Sequence, residues 1–146
     1  MRFKKSIIVL LLLLLTPLTA AFALDWYNAN QKIVGWDAIT YSLNTGERVM
    51  YRVYLTNSKT DPGKTNPTMV GETVDTNYTL TFTDKGSYFV GIQSIIQSDE
   101  SGSWSDVSDP SVIGWSDDPQ YAQGGVTFGL RYYPAPPTPT GIHAQE

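Results

Sequence analysis

Catalysis needs nucleophiles, acids, bases or metal ligands at a workable spacing, and this chain of 146 residues supplies few. Its one histidine, His143, lies in the last ten residues, beyond a proline-rich run. The central sequence therefore cannot build a Ser-His-Asp or metal–histidine constellation. There is no cysteine, which removes thiol nucleophiles, zinc–thiolate sites, an acylated-cysteine anchor and disulfides at once. Gly63-Lys64-Thr65 ends like a phosphate loop, but Ser58 stands where that loop needs its first glycine and no apolar helix follows. Asp99/Glu100, Asp106/Asp109 and Asp117/Asp118 are the clustered acids. Carboxylates of this kind can hold Ca²⁺, yet solvated turn formers explain them more simply. A glycosidase pair would need acids facing a cleft, and acids are scarce in the strand-like runs. The expectation is no catalytic residue, no metal site and no cofactor.

Aromatic residues are the richer resource: nine Tyr, four Trp and five Phe. Exposed flat rings stack on sugar faces or anchor protein interfaces. Trp36, Tyr51 and Tyr88 sit inside apolar runs and read as core. Trp26, Tyr27, Trp104, Trp115, Tyr121, Tyr132 and Tyr133 lie near ends or loops. Of these, Trp104, Trp115 and Tyr121 are the candidates to face a ligand. Capping the open ends of a small core is their plainer role.

The elements that would carry these rings are strands. Gly, Pro, Asn, Asp and Ser interrupt the sequence every 8–12 residues, and no helical periodicity is sustained between them. The centre is Asn77–Ser94, where Tyr78/Leu80/Phe82 and Tyr88/Val90/Ile92 alternate on either side of Thr83–Ser87. Alternation puts each set on one strand face and predicts a hairpin. Tyr88 could pack its ring inward and bond its hydroxyl to a backbone group near the turn. Leu24–Asn28 reads as an edge strand. Gln31–Trp36 follows, with Val34 and Trp36 inward and Lys32 at the open end of the core. Val49–Leu55 is strong, with Tyr51, Val53 and Leu55 on one face and Met50, Arg52 and Tyr54 on the other. Asp61-Pro62-Gly63 predicts a turn, and Pro67–Gly71 an edge strand. Trp104–Ser108 leads to a last strand at Ser111–Trp115 with Ile113 inward. After an Asp117–Gly125 loop, Val126–Tyr133 is an added strand or an ordered tail, with Val126, Phe128 and Leu130 on one side. The expected core is Trp36, Tyr51, Val53, Leu80, Phe82, Tyr88, Val90 and Ile92.

Residues 1–23 read as a secretory leader: Arg2, Lys4 and Lys5, the apolar run Ile7–Leu15, then Ala21-Phe22-Ala23 for cleavage. Thr16-Pro17 stops the apolar run well short of the about 20 residues of a membrane span, so no stable anchor remains after cleavage. The ten basic residues lose those three, leaving seven against fourteen acids, net −7. Such a surface argues against nucleic acid or anionic lipid as partner. The leader and the lack of cysteine point to a bacterial exported protein, secreted or periplasmic. Asn77-Tyr78-Thr79 is formally a glycosylation sequon, but reads more simply as a strand start.

With these segments placed, residues 24–116 resemble a fibronectin type III domain. The marks are Trp36, Tyr51-Arg52-Val53-Tyr54, Tyr78-Thr79-Leu80-Thr81, Phe82-x5-Tyr88 with Gly86 between, Gly102-Ser103-Trp104-Ser105 and Ser108-Asp109-Pro110-Ser111. Phe82 and Lys32 depart from the family's usual leucine and apolar residue. The resemblance implies an all-β, seven-stranded antiparallel immunoglobulin-like or fibronectin type III-like sandwich with a C-terminal extension. Residues 117–133 would be a loop and extra strand. Residues 134–146, opening Pro134-Ala135-Pro136-Pro137-Thr138-Pro139, would be a Pro-rich tail or the start of a truncated following domain. In function it implies a non-catalytic module for protein interaction or domain spacing, with contacts from loops or a sheet edge. A carbohydrate-binding module is the alternative, so the partner is an unidentified protein or polysaccharide.

Overall fold

The computed structural model describes residues 24–136; the leader reading and most of the tail reading, including His143, lie outside them. Nine strands form two sheets: β1 Asp25–Asn28, β2 Gln31–Gly35, β3 Glu47–Asn57, β4 Thr68–Thr73, β5 Asn77–Thr81, β6 Gly86–Ser98, β7 Ser105–Asp106, β8 Gly114–Trp115 and β9 Phe128–Tyr132. One 3-10 turn, Gln123–Gly125, precedes β9. The described residues are all-β, as their punctuation predicts.

The large sheet is built on β3 and β6, antiparallel from Glu47 opposite Ser98 to Asn57 opposite Tyr88. Its order is β1-β9-β6-β3-β4, with β7 and β8 also pairing with β6. The second sheet is only β2 and β5. Alternation decides what lies between them. Val34 and Leu80 from the small sheet meet Val53, Val90 and Leu130 from the large one, with Phe82 at the crossing. Each such buried side chain contributes about 1.5–3 kcal/mol. Trp36, Tyr88 and Ile92 pack against this cluster while partly exposed. Tyr51 is buried, its ring edge-on to Trp36 with centroids 5.4 Å apart. Lys32 lies at the margin, with its ammonium 4.7 Å from the centre of the Tyr27 ring. β4 is an edge strand, as expected of the run after Pro67.

Four expectations need correction. Asn77–Ser94 is not a hairpin: β5 pairs with β2 and β6 with β3, so the chain crosses between sheets at Phe82–Lys85. A two-residue hairpin turn requires residues at positive φ, and none occurs between Thr81 and Tyr88. The same alternation serves a corner as well as a hairpin, because both runs face the core. Tyr88 behaves as the corner reading requires: its hydroxyl donates to the Asp84 carbonyl at 2.8 Å, and its ring lies 5.4 Å from that of Phe82.

Second, the strands number nine rather than seven, and the large sheet is mixed, because β1 runs parallel to β9 from Asp25 beside Phe128 to Asn28 beside Arg131. Third, the added strand expected over Val126–Tyr133 is present between β1 and β6 but spans only Phe128–Tyr132. Val126 lies before the strand begins and is exposed.

Fourth, the last strand expected over Ser111–Trp115 shrinks to Gly114–Trp115. The free edge of β6 is instead completed in pieces by β7, β8 and β9, with serine hydroxyls standing where strand carbonyls would. Ser116 Oγ accepts from the Val90 N–H, Ser111 Oγ from Ser94 and Ser108 Oγ from Ile96, each at 3.0 Å. The returning bonds run from the N–H of Ser116, Ser111 and Val107 to the carbonyls of Val90, Ser94 and Ile96. Pro110 has no N–H to offer a continuous ladder, and the serines flanking it close the gaps.

Candidate functional site

Because the small sheet has two strands and the large one is wider, part of the inner face of the large sheet is uncovered. The result is an open groove of about 880 Å³ beside β2. Val34 and Trp36 form one wall, Val90 and Ile92 the floor, and Phe128 the other wall. Val112, Tyr121, Val126 and Ile39 stand at the rim, with Val112 73% exposed. An apolar surface left this open is expensive in water unless something covers it.

The edge of β2 above the groove is unpaired. Trp36 donates to the Thr76 carbonyl and Phe82 to that of Asn30. With the register Gln31 opposite Thr81 through Gly35 opposite Asn77, Lys32, Val34 and Trp36 are therefore the residues whose backbone groups engage β5. Gln31, Ile33 and Gly35 point theirs the other way. Among the described residues nothing bonds the Ile33 or Gly35 N–H, and the Ile33 side chain is 65% exposed. The indole nitrogen of Trp36 is buried without an acceptor. Asp37, an exposed carboxylate, stands in the wall.

The three candidate ligand-facing aromatics do not form one row. Trp104 is half-exposed with the Arg48 guanidinium 3.9 Å from its ring centre. Trp115 is paired beside Gly91, whereas Ser105, next to Trp104, is opposite Ser98. Seven residues along β6 separate the two positions by roughly 23 Å. Trp115 and Tyr121 are divided by the sheet: Gly114, opposite Ile92, carries the Tyr121 ring on the groove side, whereas Trp115, opposite Gly91, turns its ring to the outer face.

Trp115 also has a structural task. A Cβ on Gly91 would come 2.8 Å from its ring, and one on Gly129 would come 2.6 Å from the ring of Trp26. Each indole thus lies flat on a glycine of the outer face. Phe89 stands beside Trp26, centroids 5.7 Å apart, and Arg131 covers Trp26 at 4.2 Å. Lys64 reaches over Phe89 and Trp115 and pairs with Asp117 at 2.8 Å. Lys64 holds a positive φ, 54°, in the loop whose sequence resembles a phosphate site, and there it delivers a cation to an aromatic face.

The clustered acids are used separately. Asp106 accepts from Gln97 and from Arg52, which also pairs with Glu72. The Gln97 amide and then the Arg52 guanidinium hold the Asp106 carboxyl below its usual range. Among the described residues no three His, Cys, Asp or Glu side chains stand close enough to hold a metal ion, and no helix is long and apolar enough to cross a membrane. Comparison with protein families, curated proteins and solved structures finds no match to this chain. The groove escapes sequence reading because it exists where strands are missing; its only trace is Ile39, Val112 and Val126, apolar residues outside any strand.

Proposed function

We propose that this chain is an exported, non-catalytic β-sandwich module of fibronectin type III-like or immunoglobulin-like architecture that binds another protein. The observation that carries the reading is the apolar groove beneath the open edge of β2. The order of marks from Trp36 to Ser111, the Tyr88 corner and the core shared by two facing sheets support the architecture. Export rests on the leader-like residues 1–23. Carbohydrate binding is the weaker reading, since the row of rings it needs is divided between two places.

The test is a photo-cross-linking amino acid placed at Val112, on the groove rim, in the producing cell, with the same label at Thr79 on the exposed face of β5 as control. A discrete protein adduct at Val112 and none at Thr79 supports the proposal; equal labelling at both sites, or none at either, refutes it. Retention of the purified domain on an insoluble polysaccharide, lost in Trp115→Ala, would favour the carbohydrate reading instead.

A further inference from the structure

We infer that the occupant of the groove is a short extended segment of another protein, added as a strand to β2, with apolar side chains at alternate positions and basic residues at the end that meets Asp37. This rests on the protein-binding reading above and specifies what is bound.

The backbone supplies the first half of the argument. Ile33 and Gly35 project unused N–H and C=O groups along a straight edge, which an added strand would pair with. A strand spaced about 4.8 Å from β2 would lie over Ile92 and Phe128, which line the groove. Every second side chain would then point down into it. Lys32 against Tyr27 closes the lower end of the edge, so the insert runs along Ile33–Asp37 and is about four or five residues long.

Charge selects the partner. The only charged groove-lining residue is Asp37. Asp75 and Asp109 are close in sequence to the lining residues Thr76 and Ser111, and none of the three has an ion-pair partner among the described residues. Of the cations, Lys64 lies on the outer face paired with Asp117, and Lys32, over the Tyr27 ring, stands at the end of the edge away from Asp37. Lysine or arginine at the end of an incoming strand that meets Asp37 complements this acidic end. A second copy does not: with residues 1–23 removed, each copy carries net −7, and like charge opposes association. The chain's own C-terminal segment is also disfavoured: β9 runs from Phe128 at the groove to Tyr132 beside Gly86 at the far end, and Pro134 and Pro136, which follow, have no N–H to give a strand ladder.

The test uses the chain from Leu24 to Glu146 and a synthetic nine-residue peptide, Lys-Lys-Val-Thr-Val-Thr-Val-Lys-Lys, with a glutamate-flanked peptide of the same core as comparison. Hydrogen exchange should slow at least tenfold at the Ile33 and Gly35 amides with the lysine peptide. Affinity should fall at least tenfold with the glutamate peptide and in Asp37→Lys, whose site is exposed and unbonded. Ile33→Pro should abolish binding while Val34 stays protected, since that N–H does not serve the β2–β5 ladder. Absence of protection at Ile33 and Gly35 overturns strand addition, even if a Val112 adduct shows that the groove binds protein in another way. Equal binding of the two peptides overturns the basic partner. Concentration-dependent dimerisation that protects the same amides overturns it in favour of a second copy.

Discussion

Ser116→Ala tests whether serine hydroxyls complete the edge of β6. In the native chain the Ser116 hydroxyl is the acceptor for the Val90 N–H at 3.0 Å, and Val90 and Ser116 are both buried. Alanine leaves that N–H without a partner and with little access to water. An unsatisfied buried donor costs about 1–3 kcal/mol, equivalent to a fall in Tm of roughly 4–15 °C for a domain of this size. Ser111→Ala removes the same kind of bond from an exposed position, where water replaces it, and should cost under about 1 kcal/mol. Urea unfolding gives the two costs, and exchange at the Val90 amide locates the first. Ser116→Thr retains the hydroxyl and should restore most of the loss. A Ser116→Ala midpoint equal to that of the parent, or equal losses in the two alanine variants, would refute the reasoning.

Asp61 accepts from the Asn66 and Thr65 N–H groups and from the hydroxyls of Thr56 and Thr65. These bonds, the Asn66 N–H foremost, lower its pKa to about 2. Because the folded value lies below the unfolded one of about 3.9, its stabilisation is complete above pH ~4 and lost as pH falls toward 2; carboxyl NMR showing titration near 4 would remove the effect. Tyr88→Phe deletes the hydroxyl bond to Asp84 at a partly exposed corner, so denaturant titration should show a loss of about 0.5–1.5 kcal/mol, and no change would dismiss the corner as a stabilising device. Lys64→Met strips Asp117 of its partner in a half-buried setting and should cost about 1–2 kcal/mol. Lys64→Gly should cost less, because glycine relaxes the positive φ; the reverse order in thermal melts would contradict the strain argument.

Single residues were more legible in the sequence than pairings. The alternation of Tyr51, Val53 and Leu55, and of Tyr88, Val90 and Ile92, identifies which side chains face the core, because one strand's pleat fixes that locally. Which strand lies beside which depends on contacts far apart in sequence. The apolar runs around Thr83–Ser87 therefore suit a hairpin or a crossing equally, and nothing near Asp25 announces a parallel partner at Phe128. Serine is ordinary turn chemistry by composition, so its use as a substitute carbonyl at Ser108, Ser111 and Ser116 is visible only with β6 beside it. Trp104, Trp115 and Tyr121 are recognisable as unburied rings, but their separation is set by the register of β7 and β8. The groove is least legible of all, being an absence of cover over Ile92 and Phe128 rather than a motif.

The account depends most on β2 having one paired edge and one open edge. Amide hydrogen exchange of the free Leu24–Glu146 chain measures this residue by residue. Lys32 and Val34, bonded to β5, should exchange slowly, while Ile33 and Gly35 should exchange at close to unstructured rates. Uniform slow exchange across all four would show that the edge is already covered and would contradict the account.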